Sequence, residues 1–280
     1  MKLLIDQGNS RCKYLLTEDL GGKELTINHQ GVWPNHDFDE AFWHQQLSEL
    51  KLKGIKEVLV SSVAGHQYKE WFEAFCVEVL GLKPRFAMSQ KQYVAATSGN
   101  RLTNSYDKPQ ALGVDRWLAM IAAFEKVNGH FVVLDAGTAI TTDWVDSTGM
   151  HQGGHIVAGH HLLQQTLLGN TGGVAWSAAH DKNVSDDANG FGLNTSAAVA
   201  LGAGAMVKGY CRQLVSLIAA SLESENEEAK PLHFIITGGG GEKVVTWISE
   251  SVNSLGVKTE VEYCPNLVFE GISYWFSSNN

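Results

Sequence analysis

One internal echo constrains this chain more than any other feature. Leu3 to Leu16, "LLIDQGNSRCKYLL", can be laid against Val132 to Val145, "VVLDAGTAITTDWV". In both, three apolar residues precede an Asp, a Gly follows two places later, and an apolar stretch comes after the turn. Asn9-Ser10 then matches Thr138-Ala139. Each copy reads as a strand, a tight Gly turn and a second strand, that is, a β-hairpin. Two such openings about half a chain apart mark a duplicated domain. The echo continues in "EVLVSSVAG" (Glu57 to Gly65) and "HFIITGGGG" (His233 to Gly241), each a buried strand ending in small residues. A helical pattern follows each, over Tyr68 to Leu80 and Glu242 to Leu255, and a strand feeding a helix is a β-α unit of a parallel sheet.

Composition sets the outer bounds. The chain has 280 residues, 44% of them hydrophobic, enough for one large or two modest cores. Its 21 basic and 30 acidic side chains give a net charge of −9 with no Lys/Arg run, which argues against nucleic acid as a partner. An anionic substrate therefore needs local donors. Cys12, Cys76, Cys211 and Cys264 are widely spaced, with no C-x-x-C pair, so no zinc site or disulfide framework is indicated. The short apolar start does not suit a signal peptide, and no apolar run approaches the roughly 20 residues that span a bilayer. A cytoplasmic protein without membrane partners is the expectation.

Between the echoed halves, "GVDRWLAMIAAFEKVNG" places Trp117, Leu118, Ile121 and Phe124 at helical spacing. Asp115 falls at its start, where a carboxylate can cap free backbone N–H groups. Ser196 to Leu222 reads as a longer, Ala- and Gly-rich helix that Asn194 or Thr195 can cap. Glu223 to Pro231 reads as an exposed charged loop. The domains are expected at 1–118 and 119–280.

Neither a Walker A motif nor a G-x-G-x-x-G fingerprint is present. What remains is the pair of Asp-x-Gly hairpins and the terminal turn "TGGGG" (Thr237 to Gly241), whose Gly238 to Gly241 are candidates for an adenine pocket. Glycine permits φ > 0 and close approach of a ligand. Exposed N–H groups and hydroxyls in such turns hold phosphate oxygens, and a carboxylate beside them holds the accompanying cation. One such turn alone is simply a good turn; two with matching flanks point to a metal–nucleotide complex. In "YDKPQALGVDRW" (Tyr106 to Trp117), Gly113, Asp115 and Arg116 cluster at a helix start, where anions bind and where Asp115 can take a proton from a hydroxyl. The histidines of "HQGGHIVAGHH", His151, His155, His160 and His161, are read as incidental members of a Gly-rich turn.

Together, "DQGNSRCK", "YDKPQALGVDRW", "DAGTAITTDW" and "GGHIVAGHHLL" resemble the type III pantothenate kinases, a branch of the acetate and sugar kinase, heat-shock chaperone and actin superfamily. The resemblance implies an α/β fold of two duplicated actin-like (ribonuclease H-like) domains, each a mixed sheet flanked by helices. It implies ATP-dependent phosphorylation of pantothenate to 4'-phosphopantothenate, the first step of coenzyme A biosynthesis. Asp115 would be the general base. ATP would contact Asp6, Gln7, Gly8, Asn9, Ser10, Arg11, Cys12 and Lys13 of the first hairpin and Thr138 of the second. Tyr106, Gly113, Val114, Asp115, Arg116 and Thr195 would bind pantothenate. Asp135 would hold a monovalent cation, K+ or NH4+, needed alongside Mg2+. A homodimer with its active site near the interface is implied too. Ala158 stands where the family often has Pro, and Ser10 where it often has Thr. Another kinase of the superfamily, or a non-catalytic regulatory protein that keeps the nucleotide fold, is the rival reading.

Overall fold

The computed structural model describes the chain except residues 23–24, 35–38, 97, 171–189, 224–231, 257 and 279–280. The chain divides into two compact units. The first comprises Met1–Asn128, Val145–Gly153 and Asn266–Asn280, and the second Gly129–Trp144 and Gly154–Pro265.

The first unit opens with the expected hairpin. Strand β1 (Lys2–Gln7) pairs antiparallel with β2 (Arg11–Thr17), and β2 with β3 (His29–Pro34). Helix α1 (Glu40–Lys51), capped by the Asp39 carboxylate on the Phe42 N–H at 3.0 Å, leads to β4 (Glu57–Ser62), which lies parallel to β1. Helix α2 (His66–Leu80) then returns the chain to β5 (Arg85–Phe86), parallel to β4. The sheet order is β3-β2-β1-β4-β5. Leu3 and Ile5 of β1, Val58 and Val60 of β4, and an aromatic group around Trp43 and Phe72 form its core. A small hairpin, β6 (Gln92–Val94) with β7 (Arg101–Thr103), precedes α3 (Val114–Lys126).

The second sheet repeats the plan. Strands β8 (His130–Ala136), β9 (Ala139–Val145), β10 (His151–Ala158), β11 (Leu232–Thr237) and β12 (Thr259–Tyr263) stand in the order β10-β9-β8-β11-β12. Strand β11 is parallel to both β8 and β12. Helices α4 (His160–Asn170) and α5 (Thr195–Glu223) lie between β10 and β11 in sequence, and α6 (Gly241–Leu255) between β11 and β12. Val132, Leu134, Phe234 and Ile236 meet Val207, Leu214, Val244 and Ile248 in its core. Position for position, the two sheet orders correspond, so the duplication read from the two hairpins extends to the whole sheets. This is the duplicated, mixed-sheet actin-like plan.

The last helix, α7 (Leu267–Ser278), belongs to the first unit and packs along α3. Gly271 makes that possible: a Cβ there would run into the Leu118 backbone. Eight consecutive residues of α3, Arg116 to Ala123, are buried. A helix apolar nearly all round is an interior helix, and so α3 fixes its own first turn rigidly.

Two readings need correction. Residues 151–158 are strand β10, not a Gly-rich turn. An edge strand tolerates glycine, and Gly153 takes φ +104° without interrupting the ladder. Residues four apart also share a face on a strand, since its period is two, yet His151 is buried and His155 exposed. The second correction concerns Asp-x-Gly: neither Gly8 nor Gly137 has a left-handed φ. Close approach, not turn geometry, is what these glycines permit. Of the charged loop at Glu223 to Pro231, residues 224–231 lie outside the described residues. Among the described residues no helix is long and apolar enough to cross a membrane.

Candidate active site

The first hairpin brings Asp6 to the end of β1, opposite Lys13 of β2 and beside Ser61 of parallel β4. The turn closes with the Gly8 N–H donating to the Arg11 carbonyl at 3.1 Å. Asn9, Ser10 and Arg11 are exposed at its tip, Asp6 and Lys13 are half-buried, and Gln7 and Cys12 are buried. The second hairpin repeats the arrangement. Asp135 ends β8 beside Thr237 of parallel β11, and the Gly137 N–H donates to the Ala139 carbonyl at 3.0 Å, leaving Thr138 exposed. In each unit, then, a carboxylate at a strand end has a hydroxyl residue as its register partner. Sequence reading missed Ser61 and Thr237; the signal was there, in strands that end "VSS" and "IITGG". Both hydroxyl residues are buried, and the Ser61 Oγ has no hydrogen-bond partner among the described residues.

Glycines crowd the second hairpin. The Gly159 N–H donates to the Thr138 carbonyl at 3.0 Å, and a Cβ on Gly159 would strike the Gly137 and Thr138 carbonyls. Gly238, at φ +87°, lies so close that a Cβ would strike the Asp135 carboxylate and the Ala136 backbone. The Gly240 N–H donates to the Ala136 carbonyl at 2.9 Å, and the Tyr263 hydroxyl to the Gly238 carbonyl at 3.0 Å. Burial raises the Tyr263 phenol pKa, helped by the negative charges of Glu242 and Asp135. Two carboxylates, Glu242 and Asp135, thus lie close enough to act on one phenol.

The segment Tyr106 to Trp117 lies in the first unit. A 3-10 turn, Pro109–Ala111, leads to Gly113, the N-cap residue of α3. Asp115 stands in the first helical turn rather than at the cap, and its Oδ1 accepts from the Arg116 N–H at 2.8 Å. The carboxylate curls over Gly113, where a Cβ would come within 2.6 Å of Oδ1. A larger residue at 113 would push the Asp115 carboxylate aside, which gives the Gly-Val-Asp-Arg spacing a physical reason. Arg116 is not the solvent-facing cation its formula suggests: it is 7% exposed, donates from Nη1 to the Tyr106 hydroxyl at 3.1 Å, and lies over that ring at 5.9 Å. Val114 is buried beside it.

Tyr106 is held by Asn104, which sequence reading passed over, and by His151, which it read as incidental. Asn104, fully buried, accepts from the Tyr106 N–H at 3.0 Å and donates to the Gln90 and Pro109 carbonyls at 3.2 and 3.1 Å. His151 stacks on the Tyr106 ring with centroids 6.0 Å apart. In the second unit, Asn194 caps α5 by accepting from the Ala197 N–H at 2.9 Å, and Thr195 is the exposed first residue of that helix. His155 pairs instead with Tyr210, 3.3 Å from its hydroxyl. All four cysteines are buried thiols; burial pushes Cys76 and Cys211 up to about 12, far from a reactive thiolate.

The sequence model of the type III pantothenate kinases matches residues 2–217. The chain belongs to the type III pantothenate kinase family. As a member it is a phosphotransferase. Full-length relatives bear the family name: one from Idiomarina loihiensis is 29% identical, covering 96% of each chain. Another, from Colwellia psychrerythraea, is 27% identical over 97% of this chain and 98% of its own. Among solved structures, a candidate 2-dehydro-3-deoxygalactonokinase from Sinorhizobium meliloti superposes with TM-score 0.53 at 12% identity, covering 99% of this chain and 96% of that one. The activator of 2-hydroxyisocaproyl-CoA dehydratase from Clostridium difficile, with bound ADPNP, gives TM-score 0.50 at 9% identity over 99% and 94%. At such identities these two structures speak for the fold of this chain and nothing further.

Proposed function

We infer that this type III pantothenate kinase transfers the γ-phosphoryl group of ATP to the terminal hydroxyl of pantothenate, entering coenzyme A biosynthesis, with Asp115 as proton acceptor. The observation that carries the acceptor role is the Asp115 carboxylate poised over Gly113 at the start of a buried helix. Phosphoryl transfer asks mainly for positioning and charge neutralisation. Asp115 orients the hydroxyl and takes its proton as the oxygen attacks phosphorus in line. Tyr106, Gly113, Val114 and Arg116 hold pantothenate, the guanidinium facing its carboxylate. Thr195 closes that site.

Asp6 through Lys13 and Thr138 hold the ATP phosphates. Gly8 and Gly137, freed of any φ requirement, let the phosphate oxygens approach the backbone. Magnesium, when bound with ATP, neutralises charge on the phosphates, and the Asp6 carboxylate beside the Ser61 hydroxyl suits such an oxygen-seeking ion. Asp135 holds the monovalent cation; the negative field around Tyr263 and the neighbouring Thr237 fit that role. A cytoplasmic homodimer completes the reading.

The test is ADP release by the purified protein with ATP and magnesium, with pantothenate added or omitted, in potassium and in sodium-only buffer. Pantothenate-dependent release is expected, faster in potassium. Equal release without pantothenate overturns the substrate, and equal rates in sodium overturn the Asp135 assignment.

A further inference from the structure

His151 carries a role that the phosphoryl-transfer account leaves unused. It is 1% exposed, and a buried imidazole calls for a reason. Its ring lies nearly parallel to Tyr106, at 16° and 6.0 Å between centroids. Its Nδ1 is 3.2 Å from the Ser105 hydroxyl. The Arg116 guanidinium lies over the Tyr106 ring too, at 5.9 Å, and donates to its hydroxyl. Tyr106 thus contacts both the imidazole and the guanidinium within the first unit.

The segment that delivers His151 is fixed at several points. The Asp146 carboxylate accepts from the Thr148 N–H at 2.8 Å, the Thr148 hydroxyl at 2.6 Å and the Met150 N–H at 3.1 Å on one oxygen, and from Gln152 Nε2 at 2.6 Å on the other. The Gly149 carbonyl accepts from the Thr103 N–H at 2.8 Å, with Gly149 at φ +84° and pressed against the Arg101 backbone. A turn tied down this firmly sets the height and plane of the next ring along the chain.

We propose that His151 is a positioning residue of the acceptor subsite: stacked on Tyr106, it keeps the phenol hydroxyl on Arg116 and so holds the guanidinium in place for the acceptor's carboxylate. The proposal rests on the assignment of Tyr106 and Arg116 to pantothenate. It distinguishes ring stacking from the Nδ1 contact, because phenylalanine keeps the first and asparagine keeps only the second.

Steady-state kinetics on the full chain test it. His151→Ala should raise the KM for pantothenate about three- to tenfold, the worth of one aromatic stack, with the KM for ATP and kcat within about twofold. His151→Phe should restore the KM and His151→Asn should not. The double variant His151→Ala/Tyr106→Leu should be no worse than Tyr106→Leu alone, because the two act as one unit. An additive double, parallel losses in both KM values, or a normal His151→Asn beside an impaired His151→Phe overturns the proposal. If His151→Ala melts early, the Phe and Asn variants decide. Should Tyr106→Leu and Arg116→Lys leave the pantothenate KM untouched, the subsite itself is wrong and the inference falls with it. Should those two shift it while His151→Ala does not, only the inference fails.

Discussion

At the end of β1 the chain takes three residues, Gly8 to Ser10, before Arg11 opens β2; at the end of β8 it takes two, Gly137 and Thr138, before Ala139 opens β9. The first turn has an open tip, with Asn9, Ser10 and Arg11 exposed. The second is clad by Gly159, Gly238 and Gly240 from two other turns. What the copies share is the strand-end Asp with its hydroxyl register partner, Asp6 with Ser61 and Asp135 with Thr237. Duplication has thus kept the charge arrangement and let the packing diverge. The first hairpin keeps an exposed tip, whereas the second is enclosed by its neighbours.

That contrast can be broken most forcefully at Gly238. Gly238→Ala combines a left-handed φ with a collision against Asp135 and Ala136, and should destabilise by about 3 kcal/mol or more in urea unfolding. A near-normal midpoint would mean the second hairpin is not packed as described. Gly159→Ala has no φ penalty to add but meets two carbonyls, so about 2 kcal/mol is expected from the same measurement. Gly8→Ala sharpens the comparison from the other side. Its Cβ would sit 3.4 Å from the Arg11 carbonyl, so stability should change by less than about 1 kcal/mol. Its KM for ATP should nevertheless rise about tenfold, as one phosphate contact is lost.

The smallest effect concerns Asp146, in the turn after β9. Burial alone would raise its carboxyl pKa, but the hydrogen bonds from Thr148, Met150 and Gln152 outweigh that and lower it. A carboxylate lowered by folding contributes its stabilisation fully above its unfolded value, near pH 4, and loses it as pH falls through the lowered folded value. Asp146→Asn should therefore cost about 1 kcal/mol at neutral pH, and stability should fall less steeply than in the parent protein below about pH 4. Parallel pH profiles for the two proteins would contradict this.

Both hairpins and both strand–helix units could be read from the chain, because an apolar triplet ending in Asp and a 3.6-residue period are local signals. So could the long α5, though Asn194 rather than Thr195 supplies its cap. What escaped was long-range. The Ser61 and Thr237 hydroxyls matter only through sheet register. Gly113 matters because Asp115 folds back over it, which no spacing announces. "HQGG" looks like a turn until it is placed at a sheet edge, and only there does His151 reach Tyr106. Nor does the sequence announce the burial of Arg116, which follows from α3 being enclosed and from the hydrogen bond its guanidinium donates to Tyr106.

The central claim, that Asp115 readies the acceptor hydroxyl, is tested most directly by kcat of Asp115→Asn at saturating ATP and pantothenate. Asparagine keeps an oxygen for the Arg116 N–H, so the fold and the melting temperature should hold. The account predicts a fall in kcat of about 10²–10⁴. A well-folded Asp115→Asn protein that turns over pantothenate at close to the parent rate would contradict it.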